Sequence, residues 1–517
     1  MILRSQSPLG AFPPFVIQTG TFGRLRMESH YSHDATDFFD MTIPHLTLAH
    51  GCDEPLPVAH GRLLDFPDDP LACMKKLQSQ HGNVCALEEQ GARIYFAFGS
   101  EYNHQVLSDG ASFHSQFFAL RGSRHSPQRR LSSGLLSMNG EQHKRNRRLV
   151  MDAFLKKAIQ NYVPTIRLLT EQMLDDWRAG TERDIARDMT EFMLRLTSSI
   201  LFGVESPEMA YRIGRMTDHW VHMNHELGMG AFVSDPELAR RYSDLLDFAG
   251  ELEGEIKEMI AQRKQNPNGI DALSLLIKAH DAEGGITDDE LVGQAALIFA
   301  AAHLTTAHSL TWTLFLLAQH PSAMSELHHE LTSQLDGGFP SAEQVERLPC
   351  MERAIKESMR VLPASSYSQR IAAVPTQLGP FALPAGSGIV FSQFMTHHTP
   401  ELYVDPEAFL PDRWLQISPS PYQYLPFGAG PRMCLGAPLA MLILKTVLPT
   451  ILQRFKLTVV PMSEVSGKVI STMLGPTSNM MMRLDEQDGR FECHPVLGNI
   501  HSMVDLREVA QPLRRAA

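Results

Sequence analysis

The 517-residue sequence is poor in cysteine: six residues, Cys52, Cys73, Cys85, Cys350, Cys434 and Cys493, without a tight repeated spacing. That excludes a disulfide-dense secreted scaffold and a paired C-x-x-C zinc site. Positive charge is also in deficit, with 46 Lys plus Arg against 58 Asp plus Glu and a net charge of −12. A generic polyanion binder does not look like this, and no nucleic-acid partner is expected. The first thirty residues lack the apolar core of a signal peptide and are interrupted by Pro13 and Pro14. Leu291–Ser325 contains no Lys, Arg, Asp or Glu, but Gln294, His303, Thr305, Thr306, His308 and Gln319 interrupt it, and each is costly in lipid. No transmembrane anchor is expected, and the location is expected to be cytoplasmic. G-x-G-x-x-G is missing too, so no dinucleotide-binding unit is expected.

What is present is ordinary globular composition, 43% hydrophobic and 20% charged. Residues 1–55 read as an irregular extension, 56–484 as the globular domain and 485–517 as a C-terminal tail. Periodicity predicts a helix over Asp69–His81, then strands Val84–Glu88 and Ala92–Phe98 around the turn-prone Gln90-Gly91. The segment 100–140 reads as loop. Helical patterns dominate from Glu141 to about Leu335. The longest helix has a capping box, Thr287 with Glu290, and should stop near Pro321 after spanning roughly 45 Å. A helix over Ser341–Arg360, short strands over 361–395, a last helix over Leu435–Phe455 and further strands to 483 complete a mainly α chain with a minor β portion.

One segment carries a chemical signal, Phe427-Gly428-Ala429-Gly430-Pro431-Arg432-Met433-Cys434-Leu435-Gly436. Its glycines permit tight turns and close approach of a flat ligand. Cys434 precedes an apolar helix whose N-terminus favours a thiolate, and Arg432 can pair an anionic group. The pattern F-x-x-G-x-R-x-C-x-G resembles the haem-binding loop of the cytochrome P-450 family of haem-thiolate monooxygenases. Glu357-Ser-Met-Arg360 resembles that family's E-x-x-R helix, and Phe409-x-Pro411-x-Arg413-Trp414 resembles the segment whose Arg completes its ion-pair network. The resemblance covers roughly residues 55–480 and implies the cytochrome P-450 fold, with a long central helix over a buried haem b. It implies Cys434 as iron ligand, with Phe427, Arg432 and Gly436 in the binding loop. It further implies that His143, Arg147 and Arg370 hold the haem propionates.

In the central helix, Ala301 and Ala302 would leave room for dioxygen and substrate, and Thr305 would hydrogen-bond dioxygen and help deliver protons. Leu304 stands where the family carries an acid, so water or His303 would have to serve as substitute relay. The implied reaction inserts one atom of dioxygen into an apolar, moderate-sized organic substrate, with electrons from a separate ferredoxin or flavodoxin. Alternatives are a haem-thiolate isomerase, dehydratase or peroxide-driven enzyme on the same fold, or a non-catalytic haem-binding sensor. Residues 121–148 hold eight Lys or Arg against the single acid Glu141, a basic run expected to bind propionates and dock an acidic electron donor. Candidate pocket regions are Phe113–Leu136, about Met209–Phe232, the 298–305 face, Ala364–Ser368 and Met473–Pro476.

Overall fold

The structure, a computed structural model, describes residues 55–507 apart from 116–119, 121, 231–235, 266–268 and 284–286. The N-terminal extension, Arg121 and parts of two candidate pocket regions lie outside the described residues.

Asp69 caps the helix Pro70–His81 by accepting from the Ala72 N–H at 3.1 Å, and Gly82 ends it. The hairpin of Val84–Glu89 and Ala92–Ala97 turns through Gln90 and Gly91, both at positive φ. It forms part of a mixed six-stranded sheet in the order Val58–His60, Val84–Glu89, Ala92–Ala97, Gly388–Phe391, Ser368–Ala372, Phe113–His114. A three-stranded antiparallel sheet joins Phe455–Val459, Met481–Glu486 and Thr181–Asp184.

The central helix runs Asp288–Gln319, and both halves of its capping box are made. It belongs to two separate cores. Leu291–Phe299 packs with Trp220, Leu252 and Ile256, whereas Ala307–Ala318 packs with Met351, Ile355, Leu444 and Leu448. At about 1.5–3 kcal/mol per buried large apolar side chain, these two ends fix the helix in place. Between them burial falls: Ala301 is exposed, and Ala302, Leu304 and Thr305 are half-buried. Among the described residues this is also the one helix long and apolar enough to cross a membrane, and most of it is buried in the protein.

Three segments differ from expectation. Ser341–Arg360 is not one helix: a single turn, Ala342–Val345, is followed by a new helix, Pro349–Val361, because Pro349 lacks the N–H that an uninterrupted helix needs. The supposed loop at 100–140 contains the helix Ser100–Ser108. Its apolar content is confined to Val106 and Leu107, and it is anchored instead by buried Asn103, which donates to Thr396 Oγ1 at 2.9 Å. The segment read as a tail continues in contact with the domain as far as Arg507, with Val496, Ile500, Met503 and Val504 in the core.

Candidate functional site

The Cys434 loop is shaped by its own backbone. Gly428 and Gly430 both take positive φ, and a Cβ on Gly430 would lie 2.3 Å from the Leu107 carbonyl oxygen. Only glycine fits there. Cys434 donates its N–H to Phe427 O at 2.9 Å, closing the loop, and the helix Ala437–Arg454 begins three residues later. Gly436 has an ordinary negative φ, and a Cβ there would make ordinary contact, 3.7 Å from the Cys434 sulfur. Burial pushes the Cys434 thiol pKa up, while the Gly436 and Ala437 N–H groups and Arg147 oppose it. Cys434 nevertheless has an exposed surface.

Three arginines and a histidine gather beside this loop. His143 and Arg147 stand one turn apart on the helix Gly140–Met151. Arg147 donates to Met433 O at 2.6 Å; Arg432 donates to Met138 O at 2.5 Å and Asn139 Oδ1 at 2.6 Å; Arg370 donates to Gln369 O at 2.8 Å. Burial, then Arg432, Arg147 and Arg370, depress the His143 pKa to about 4. Burial and Arg432 lower Arg370 to about 10, and burial and Arg147 lower Arg432 to about 10. Among the described residues none of the four pairs with a carboxylate. Desolvated arginines that repel one another are stabilised by anions from elsewhere, and the neutral His143 beside them can donate an N–H, so two carboxylates on one flat ligand are what such a donor set suits. Asn139 and Met138, which hold Arg432, gave no sequence signal.

The E-x-x-R elements come together in a buried network. Glu357 and Arg360 are fully buried, and Glu357 accepts from Arg360 Nη2 at 2.8 Å and Nε at 3.0 Å, from Arg413 Nε at 2.8 Å, from Trp414 Nε1 at 3.0 Å and from Leu410 N at 3.0 Å. Arg360 also donates to the carbonyls of His397, Pro406 and Ala408. Burial alone would raise the Glu357 pKa, but Arg360 and Arg413 hold it below its usual value.

In the central helix, the Thr305 hydroxyl donates back to Ala301 O at 2.8 Å. His303 is not the expected relay. It is buried on the opposite side of the helix, with Nε2 3.2 Å from Thr190 O and Nδ1 3.3 Å from Asp218 Oδ1. The basic run is also less bare than its sequence: Lys144 pairs with Glu141 inside the run, and acids from distant segments answer Arg130 (Glu253) and Arg145 (Glu290). Arg148 remains exposed.

The sequence profile of the Cytochrome P450 family matches residues 53–482. The chain belongs to the cytochrome P450 family. It is 30% identical over 403 residues to cyclooctat-9-en-7-ol 5-monooxygenase of Streptomyces melanosporofaciens, covering 76% of this chain and 86% of that one. It is 28% identical over 427 residues to pentalenene oxygenase of Streptomyces avermitilis, covering 79% and 91%. Among solved structures, a retinoic acid bound cyanobacterial CYP120A1 matches with a TM-score of 0.73 at 23% identity, over 84% of this chain and 100% of the other. The heme domain of cytochrome P450DA matches at 0.74 and 23%, over 85% and 99%. This cytochrome P450 is a monooxygenase that binds haem b, and its mainly helical fold is that of its structural neighbours.

Proposed function

We propose that Cys434 is the iron ligand, that His143, Arg147, Arg370 and Arg432 hold the haem propionates, and that substrate lies against Ala301, Ala302 and Thr305. The carrying observation is the convergence of a turn-locked cysteine with three arginines and His143, none of them paired with a carboxylate among the described residues. Haem supplies dioxygen activation and one-electron chemistry when bound. The protein's own contribution is to aim the Gly436 and Ala437 N–H groups at the sulfur, to neutralise the propionates, and to leave space where Ala301 and Ala302 carry only methyl groups. The substrate is an apolar organic molecule of moderate size, matching the small and apolar residues of the 298–305 face, Ala364 and Met473–Pro476. Electrons come from a separate ferredoxin or flavodoxin in the cytoplasm. Reduced protein under carbon monoxide reports the sulfur ligand directly, and a histidine-type spectrum would refute it.

Thr305 is the proton-delivering group. A helical threonine has two accessible χ1 rotamers, one of which bonds back to the i−4 carbonyl as seen here. Turning to the other frees the hydroxyl for the cavity. With Leu304 unable to donate and His303 turned away, water must supply Thr305. Proton delivery is therefore the weak step. Leu304→Glu is expected to raise product formed per NADPH consumed and Thr305→Ala to lower it, each by roughly an order of magnitude, as one positioned proton-transfer group contributes at least that much. Burial would raise the new carboxyl's pKa, so product and peroxide are to be measured across pH. Tight coupling in both wild type and Thr305→Ala would contradict this role.

The electron donor docks beside the Cys434 loop, where Arg147 meets Met433 and where Arg148, Met151 and Met433 are exposed, the two methionines at 40% and 48%. Arg148→Glu is expected to slow reduction by an acidic ferredoxin several-fold at low salt and less at about 0.15 M, where the Debye length is about 8 Å. Equal slowing of reduction by dithionite would mean that the haem site itself was damaged.

A further inference from the structure

The strands Gly467–Ile470 and Met473–Pro476 pair only with each other, as a two-stranded hairpin. Such a hairpin is marginal by itself in water, so its place is set by what it packs against. On one side it meets the elements of the candidate pocket. Leu474 O accepts from Trp312 Nε1 of the central helix at 3.2 Å, Leu474 N donates to Ala364 O at 3.0 Å and Ser366 N donates to Thr472 O at 2.9 Å. On the other side lies the segment 495–505, read from the sequence as a tail. Met462 N donates to Pro495 O at 2.8 Å, Leu497 N to Ser463 O at 2.9 Å and Val465 N to Leu497 O at 2.8 Å, which ties this segment to the chain leading into the hairpin. Asn499 then grips Gly467: Oδ1 accepts from Gly467 N and Nδ2 donates to Gly467 O, both at 2.8 Å. Buried Met503 reaches the same glycine, where a Cβ would lie 3.3 Å from Met503 Cε and 3.4 Å from Trp312 Cζ2. Gly467 stands opposite Pro476 in the hairpin register. The C-terminal segment and the central helix therefore clamp the hairpin between them.

We propose that Asn499 and Met503 are positioning residues of the substrate pocket, holding the hairpin against the central helix and so setting how closely the strand Met473–Pro476 approaches an apolar substrate. This rests on the assignment of Met473–Pro476 to the substrate cavity. Each residue acts through the hairpin. The Asn499 amide matches both backbone groups of one residue, which fixes that end of the hairpin at two atoms, and an alanine there supplies neither bond. Met503 fills the space between Gly467 and Trp312, and truncating it leaves the hairpin room to shift. A wall that shifts loses contact with a bound hydrocarbon, whereas a ligand that needs only the haem iron is indifferent to it.

The test uses the haem-loaded full chain, with adamantane and decalin as apolar probes and imidazole as the probe that needs only the iron. Binding of each is read from its shift of the Soret band, with no turnover involved. The ratio of apolar-probe to imidazole affinity is expected to fall about five-fold in Asn499→Ala/Met503→Ala, equivalent to about 1 kcal/mol or about 40 Å² of apolar contact, and about two-fold in each single variant. Should the double variant fail to load haem, the single variants carry the same comparison. Ile166→Ala, a core truncation in the helix Lys156–Asp175 that makes none of these contacts, is expected to lower the thermal midpoint and leave the ratio unchanged. An unchanged ratio in the Asn499 and Met503 variants, or an equal fall in Ile166→Ala, would overturn the proposal and leave the segment merely stabilising. If neither apolar probe shifts the wild-type Soret band, the cavity assignment fails and the proposal with it. The carbon monoxide spectrum reports the Cys434 ligand independently, so a failure of the haem-site assignment is distinguishable from both.

Discussion

Arg360→Ala is expected to leave almost no soluble, haem-loaded protein. The guanidinium is fully buried, satisfies Glu357 with two nitrogens and accounts for the carbonyls of His397, Pro406 and Ala408. Its removal strands the carbonyls of His397 and Pro406, leaves that of Ala408 with only a long bond from Arg413, and leaves Glu357 with Arg413 as its one cation among the described residues. Breaking a buried pair by deleting one partner costs about 3–5 kcal/mol, a large share of the 5–15 kcal/mol that typically holds a domain together. Soluble yield, haem content and the thermal midpoint measure the loss. Stable, haem-replete Arg360→Ala with altered turnover alone would make this network catalytic rather than structural.

Cys434→His is expected to abolish monooxygenase turnover in protein that still folds. The sulfur is met by the Gly436 and Ala437 N–H groups and by the field of Arg147, an arrangement that suits an anion. A neutral imidazole cannot supply the electron donation of a thiolate, which is what favours O–O cleavage in haem-thiolate enzymes. Folding should survive, because the loop is held by Gly428, Gly430 and the Cys434 backbone N–H rather than by the side chain. Turnover with reductant and redox partner, alongside circular dichroism, separates the two effects. Undiminished product formation by Cys434→His would remove Cys434 from the chemistry.

The loop around Cys434 was legible because its chemistry is local: glycines at positive φ, a cysteine before a helix and an arginine two residues earlier are all written within ten positions. The capping box at Thr287 and Glu290 was legible for the same reason. Pairings across the chain were not. The turning of His303 depends on Thr190 and Asp218, and the quenching of Arg130 and Arg145 depends on Glu253 and Glu290. No local pattern announces partners so far away in sequence. The helix Ser100–Ser108 escaped notice because a buried asparagine, not an apolar stripe, fastens it.

The central claim is that Cys434, as a thiolate, is the iron ligand. The most direct measurement is the absorption spectrum of reduced wild-type protein under carbon monoxide, recorded beside Cys434→His. The assignment predicts the strongly red-shifted Soret band of a thiolate-ligated haem in wild type and its loss in the variant. A histidine-type band in wild type, or a thiolate band that survives Cys434→His, would contradict it.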